Sequence, residues 1–486
     1  MPTCKIIIYD EVNIKIDGLP PSVRRKLSSS MKFEIPHARY SEKYKLGRWD
    51  GTKGYFGIGG NGYLNHLDRL LPILKKEGYE VSEIDDRRQT IDIGLTTIDE
   101  NFWEGSFWPE GHEKAGEPIE LRDYQVTAIN DFLKNPQSLQ QIATGAGKTI
   151  MTATLSKIVE PLGRSLIIVP NKSLVTQTEK DYINVGLDVG VYFGDRKDLN
   201  KTHTVCTWQS LNILDKKSKK GDTTLLTLAE FLDGVQTVIV DEVHMAKAEV
   251  LTKLLTENLK NAPVRWGLTG TVPKEEYEFI GILAAIGPVV GNIYAHELQD
   301  KGVLSNLQVN VTQLIDVKEF EGYQEELKYL VTNKQRVEYL GKLFTNISKT
   351  GNSLILVDRI ATGKELEAII PDSIFINGAV KIKDRQEEYD GVNTSDHKVI
   401  IATYGVAAVG INIPRIFNLI LVEPGKSFVR VIQSIGRGIR KAKDKDFVQI
   451  WDITSTCKFA KRHLRERKKY YKEAKYPFSI EKIDWN

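Results

Sequence analysis

Residues 141–150 read QIATGAGKTI and residues 237–244 read TVIVDEVH. The first stretch contains GAGKT, the centre of a phosphate-binding loop whose full pattern is G-x-x-x-x-G-K-[ST], with Ile142 where the first glycine belongs. Backbone N–H groups at a helix start carry positive partial charge, and glycines let that backbone close around phosphate oxygens. Gly145 and Gly147 supply the approach, with Thr144 and Ala146 completing the lining. Lys148 would meet the β- and γ-phosphates, and Thr149 would place its hydroxyl on Mg²⁺. Such a loop joins a strand to a helix, so SLQQIAT (138–144) reads as the strand. KTIMTATLSKIVEPL (148–162) reads as the helix, ending near Pro161.

TVIVDEVH ends an apolar run on two adjacent carboxylates. Nucleotide hydrolysis needs an acid beside Mg²⁺ and a second carboxylate that orients and deprotonates the attacking water. Asp241 fits the metal role and Glu242 the base role.

Working outward, SLIIVP (165–170), HTVCTW (203–208) and QTVIVDE (236–242) are continuous apolar runs of strand length. They fit strands covered on both faces, as in a parallel sheet between helices. A second set begins near Asn352 with SLILVD, SIFING, KVIIAT, LILVEP and FVQIWDI. Two successive sets imply two α/β domains. Between them, residues 319–348 read as helical, a connector plus the first helix of the second domain. The first hundred residues differ: KIIIYDEVNIKIDG gives two short strands and PPSVRRKLSSSM a helix opened by proline. GTKGYFGIGGNGYL is a glycine-rich hairpin-like region, and HLDRLLPILKKEGYE a helix closing at Gly78. The expected domains are an α+β module over 1–100, an ATP-binding α/β domain over 101–310 and a second α/β domain over 311–486 with a basic tail.

The 486 residues are 41% hydrophobic and 27% charged, an ordinary balance for a globular chain. No apolar run is long enough to span a membrane, and the run opening MPTCKIIIYDEV is too short for a signal peptide. Cys4, Cys206 and Cys457 are scattered, giving neither a disulfide framework nor a metal-ligand spacing. A cytoplasmic protein without structural zinc is the expectation. The net charge of +3 conceals two basic clusters. Pro21–Lys53 carries nine Lys/Arg against three acids, and KFAKRHLRERKKYYKEAK (458–475) is equally lopsided. Local positive charge on a nearly neutral chain points to a polyanionic partner, although a solvated helix face would look the same.

ATGAGKT, LIIVPNKSLVTQ, TWQSL, DEVH, LTGT, ATYGVAAVGINIP and QSIGRGIR occur in the order of the superfamily 2 helicase motifs, over residues 121–440. In that superfamily the first loop position is often not glycine. GRWDG (47–51), YQEEL (323–327), YGV followed by VGI (404–411) and QSIGRGIRK (433–441) narrow the resemblance to the phage UvsW-type branched-DNA helicases. The resemblance implies two tandem RecA-like domains behind a small N-terminal module. It also implies ATP-driven fork regression, junction migration and unwinding of R-loops or D-loops in phage recombination, repair and replication, in the host cytoplasm.

By the same resemblance, LRDYQ (121–125) places Gln125 to read adenine, and Gly410 contributes to nucleotide binding. His244, Thr269 and Thr271 couple hydrolysis to domain movement. Gln433, Arg437 and Arg440 complete the catalytic set from the second domain. The two arginines lie three apart, so on a helix they share a face suited to charge developing on the transferred phosphoryl group. The chain reads GINIP where the family pattern has G-I-D-x-P, so Asn412 cannot supply that charged contact.

A translocating enzyme grips the nucleic-acid backbone with small polar and basic residues. Asn171, Lys172, Thr207, Gln209 and Thr403 stand at suitable strand ends. In ARYSEKYKLGRWDG (38–51), Arg39, Lys43, Lys45 and Arg48 alternate with Tyr40, Tyr44 and Trp49, offering cations to phosphate and rings to exposed bases. Trp49 could equally anchor a turn. The expected partner is forked, branched or duplex DNA, with an RNA–DNA hybrid possible, and no membrane or obligate protein partner. A restriction-type motor subunit and a nucleotide-switched DNA-binding or strand-annealing protein are the competing readings.

Overall fold

The computed structural model describes residues 2–36, 38–89, 93–110, 112, 114–221, 226–245, 248–407 and 413–485. It divides into two compact units, one of residues 1–141 with 148–292, the other of residues 142–147 with 293–486. The fold is α/β: two RecA-like domains built on parallel sheets, preceded by a small N-terminal module.

The first unit is centred on an eight-stranded sheet. Its order is Arg196–Lys197, Val189–Phe193, His203–Thr207, Arg164–Val169, Val235–Val240, Val264–Thr269, Gln137–Ile142, Val289–Ile293. The central strands pair in parallel. Because helices cover both faces, these strands are buried along most of their length, and Leu166, Ile168, Val238 and Val240 all enter one core. Gln140 is a polar residue in a central strand, and its buried amide is satisfied by the Ala128 carbonyl at 2.6 Å. The order sets the carboxyl ends of Val235–Val240, Val264–Thr269 and Gln137–Ile142 side by side, so DEVH, LTGT and the phosphate loop leave adjacent strands.

The N-terminal module carries a four-stranded sheet ordered Asn61–Tyr63, Asn13–Asp17, Thr3–Ile8, Glu80–Asp86, with helices Pro21–Ser30 and Leu67–Lys76 packed on it. The glycine-rich stretch is not a hairpin. Its strand Thr52–Gly54 pairs with Lys32–Glu34, whereas Asn61–Tyr63 pairs with Asn13–Asp17. Gly60, at φ 92°, sits so close to the neighbouring strand that a Cβ there would lie 2.4 Å from the Ile16 carbonyl. The module shares its core with the helix Glu276–Ala285, through Ile280, Leu283 and Ala284. Buried His66 meets the Ile280 carbonyl at 3.0 Å, and Arg69 pairs with Glu276 at 2.8 Å. Deleting the module would therefore strip apolar cover from the helix Glu276–Ala285.

The second unit holds a seven-stranded sheet ordered Ser373–Ile376, Val399–Thr403, Ser353–Val357, Asn418–Val422, Phe447–Ser455, Asn306–Leu314, Phe478–Ile483. Its described pairings are parallel. The helical stretch between the strands Asn306–Leu314 and Ser353–Val357 is two helices, Tyr323–Thr332 and Lys334–Ser348, separated at Asn333, whose side chain caps the second by accepting from Arg336 N. Among the described residues, no helix is long and apolar enough to cross a membrane.

Candidate nucleotide site and nucleic-acid interface

The phosphate loop leaves Gln137–Ile142 and enters the helix Lys148–Ile158. Gly145 and Gly147 turn the chain with φ of 88° and 83°, values that residues with a Cβ rarely adopt. Ile142 needs no such freedom. It is the last residue of the strand, fully buried, and its side chain belongs to the core. That is why a β-branched residue can replace the first glycine of the pattern.

At the start of the helix, Lys148 Nζ donates to Glu242 Oε1 at 2.6 Å, and both side chains are largely buried. Glu242 Oε2 accepts from Gly270 N at 3.3 Å, an interaction that no motif in the sequence signals. Asp241 Oδ1 accepts from Glu242 N at 2.8 Å. Glu242 lies at φ 48°, a left-handed conformation that costs a residue with a Cβ about 1–2 kcal/mol. Strain of this kind persists where the surroundings over-determine it, and here it turns consecutive carboxylates in different directions. Burial pushes the Asp241 carboxyl up to about 6, with Lys148 opposing and Glu242 adding to the shift. Burial also acts to raise Glu242, but Lys148 and His244 outweigh it and hold that carboxyl well below the usual range.

His244 extends the cluster. Its Nδ1 hydrogen-bonds Thr269 Oγ1 and lies 3.5 Å from Glu242 Oε2. Thr269 Oγ1 donates to the Thr271 carbonyl at 2.8 Å and accepts from Thr271 N at 3.2 Å. Burial lowers the His244 pKa, against the opposing pull of the Glu242 carboxylate. Thr149 is half-buried one residue beyond Lys148. Buried Gln125 accepts from Arg122 N at 2.9 Å through its amide oxygen, closing the first turn of the helix Asp123–Lys134.

In the second unit, residues 142–147 lie against the helix Phe428–Gly438 and the segment that follows it. A Cβ on Gly436 would stand 2.9 Å from Thr144 Cβ, and one on Gly145 would meet Leu304 Cδ2 at 2.8 Å and Arg440 Cγ at 3.8 Å. Glycine at 436 thus permits a close approach that any larger residue would block. Arg440 bridges to Leu304 in antiparallel fashion, and burial lowers its pKa. Gln433 and Arg437 occupy the same helix. Gly410 and Asn412 lie outside the described residues.

Lys445, buried to 2% exposure, donates from Nζ to the carbonyls of Pro414 (2.9 Å), Arg440 (2.8 Å) and Gly438. Ser305 Oγ donates to the Arg440 carbonyl at 3.3 Å. Together they pin the end of the helix Phe428–Gly438 and the segment after it, where Arg440 lies in a bridge beyond the helix and so does not share a helical face with Arg437 as expected. Nothing in KAKDKD distinguishes this lysine from its neighbours in sequence. Lys445→Met leaves three buried acceptors without this donor, and the expected loss is about 3 kcal/mol or more. A thermal or urea unfolding curve checks it.

The candidate DNA contacts fall into two groups. Asn171 caps the helix Lys172–Asn184 by accepting from Leu174 N at 3.0 Å, and Thr207 caps Trp208–Lys219 by accepting from Ser210 N at 3.3 Å. Gln209 donates to the Pro170 carbonyl at 3.1 Å, exposed Lys172 opens its helix, and Thr403 ends the strand Val399–Thr403. In the N-terminal module, Arg39, Lys43, Lys45 and Arg48 are exposed beside exposed Tyr40, Tyr44 and Leu46. Half-buried Trp49 donates its indole N–H to the Thr52 carbonyl at 2.7 Å, so it anchors the turn under this surface.

Two family models match the chain: "Type III restriction enzyme, res subunit" over residues 118–274 and "Helicase conserved C-terminal domain" over residues 335–442. The chain is similar to the ATP-dependent DNA helicase uvsW of Enterobacteria phage T4, at 23% identity over 96% of this chain and 93% of that one. It is similar to the DNA 3'-5' translocase XPB2 of Sulfurisphaera tokodaii, at 30% identity over 44% of this chain and 46% of the relative. A solved structure of the ATP-dependent Type ISP restriction-modification enzyme LlaBIII bound to DNA shares the fold, with TM-score 0.58 at 15% identity, over 86% of this chain and 36% of that one. The matched domains and relatives make this protein an ATP-dependent DNA helicase resembling the UvsW-type members of superfamily 2.

Proposed function

We propose that this superfamily 2 DNA helicase uses ATP hydrolysis to remodel branched DNA, regressing forks and migrating junctions in phage recombination, repair and replication within the host cytoplasm. The observation that carries the reading is the similarity to the phage T4 helicase across 96% of the chain, N-terminal module included. That module adds a basic, aromatic surface to the motor, and a motor acting at a branch needs a second grip besides the strand it moves along.

In this reading Gly145, Gly147 and Lys148 hold the phosphates of ATP, while Gln125 and Gly410 contribute to nucleotide binding. Thr149 and Asp241 offer a hydroxyl and a carboxylate oxygen, the hard donors Mg²⁺ prefers, and the phosphates supply further oxygens. The metal would neutralise charge on the phosphates. Lys148 exchanges Glu242 for phosphate when nucleotide enters, which frees the carboxylate to take the proton of the attacking water. Arg437, with Gln433 on the helix Phe428–Gly438, and Arg440 just beyond its end meet the charge that develops on the transferred group. His244, Thr269 and Thr271 link the Glu242 carboxylate to the neighbouring strand end and so report its state to the rest of the motor.

ATP turnover measured on single-stranded, duplex, forked and four-way DNA tests the substrate. Forked and four-way substrates are expected to stimulate hydrolysis several-fold beyond duplex of equal length. Equal stimulation by plain duplex would leave a general translocase in place of a branch-remodelling one.

A further inference from the structure

The helix Lys458–Glu473 has two contrasting faces. Ala460, Leu464, Arg467 and Tyr471 are buried. Arg467 makes a two-pronged pair with Asp452 at 2.8 Å, and the Tyr471 hydroxyl donates to the same carboxylate at 2.7 Å. At the amino end, the Glu326 carboxylate accepts from Phe459 N at 2.9 Å and Ala460 N at 2.6 Å. The helix is thus locked in rotation and in position.

Its other face exposes Lys458, Lys461, Arg462, Arg465, Lys469 and Lys472. At 3.6 residues per turn these six fall within an arc of about 100°, in a ridge about 21 Å long. Lys469 pairs with Glu466 on its own helix at 3.0 Å. Lys461, Arg462, Arg465 and Lys472 make no ion pair among the described residues. Burial first, then Arg467, Lys426 and, from the ridge, Arg462, pull the His463 pKa down to about 4. Holding uncompensated like charges on a rigid ridge is unfavourable for the isolated chain, and it is relieved by a partner carrying regularly spaced negative charge.

We propose that this ridge is a docking surface for the phosphate backbone of duplex DNA, separate from the strand-end residues and from the N-terminal module. The inference rests on the helicase reading for the identity of its partner. A rigid helix with no aromatic side chain on its exposed arc recognises phosphates and leaves bases unread, so binding there should be independent of sequence.

The test uses the full chain with Lys461, Arg462, Arg465 and Lys472 all changed to Gln, side chains that are exposed and free of ion pairs among the described residues. Binding of a short duplex is measured across a salt series. Removing one phosphate-neutralising cation should reduce the slope of log K against log salt by about 0.9, so a fall of about 2–4 is expected, with DNA-independent ATPase unchanged. A charge-preserving variant (K461R, R462K, R465K, K472R) should keep the wild-type slope. An unchanged slope in the Gln variant overturns the proposal and would assign the ridge to another anionic partner, such as an acidic protein surface. Equal losses in both variants also overturn it, because then shape and not charge is responsible. Failure of wild-type protein to be stimulated by any DNA is a different result, and it would overturn the helicase reading itself.

Discussion

Glu242→Gln is expected to lower ATP turnover by about 10²–10⁴-fold while nucleotide affinity stays within a few-fold of wild type or tightens. The substitution keeps the shape of the side chain, and its amide oxygen can still accept from Gly270 N. What it loses is the ability to take a proton. It also removes the anion facing Lys148 at 2.6 Å, leaving that ammonium more available to phosphate. In the nucleotide-free protein, where Lys148 still faces it, the native carboxyl is held well below its usual range, so the base is ionised before ATP enters. Loss of kcat/KM on the acid side, which reports the free enzyme, should therefore not follow a glutamate titration near 4.5. Single-turnover hydrolysis with a fluorescent nucleotide separates the two effects. A loss of less than tenfold in the chemical step would remove Glu242 from the base role and leave it as an electrostatic partner of Lys148.

The parts of this architecture that could be read from sequence are those in which one residue type has one physical use. Continuous apolar runs such as TVIV mark strands covered on both faces, and all of that run is buried. GAGKT marked its loop because positive φ and an ammonium beside a helix start are hard to obtain otherwise. Polar residues at strand ends were less legible, since a helix following a parallel strand needs a cap. Asn171 and Thr207 meet that need with hydrogen bonds to Leu174 N and Ser210 N. The same side chains that suit a phosphate suit an orphan N–H, and sequence alone does not separate the two. The glycine-rich hairpin reading failed for a related reason. Glycines signal turns, but strand pairing is a tertiary choice, and here each strand has a different partner. Lys445 and Gly270 were missed because their contributions are, respectively, burial among carbonyls and a backbone N–H, neither of which leaves a motif.

Arg440→Ala should cost about 10³–10⁵-fold in turnover if this guanidinium stabilises the transition state, and Arg440→Lys should recover little. The structure favours a clean reading of that experiment. The backbone at 440 is held by Lys445 and Ser305 through the residue's own carbonyl, so truncating the side chain leaves the end of the helix pinned. Burial lowers the Arg440 pKa, which marks the group as one held in a poorly solvated place, where a developing anion is stabilised more strongly than in water. Gly436 offers an independent check on the same surface. With Thr144 Cβ only 2.9 Å from where its own Cβ would stand, Gly436→Val must displace the loop residue or the helix. It should then depress turnover without touching a charged group. A kcat loss shared by Arg440→Ala and Gly436→Val, with KM for ATP little changed by the first, is the expected pattern. A rise in KM alone for Arg440→Ala would make this arginine a binding residue and transfer the transition-state role to Arg437, three residues earlier in the helix.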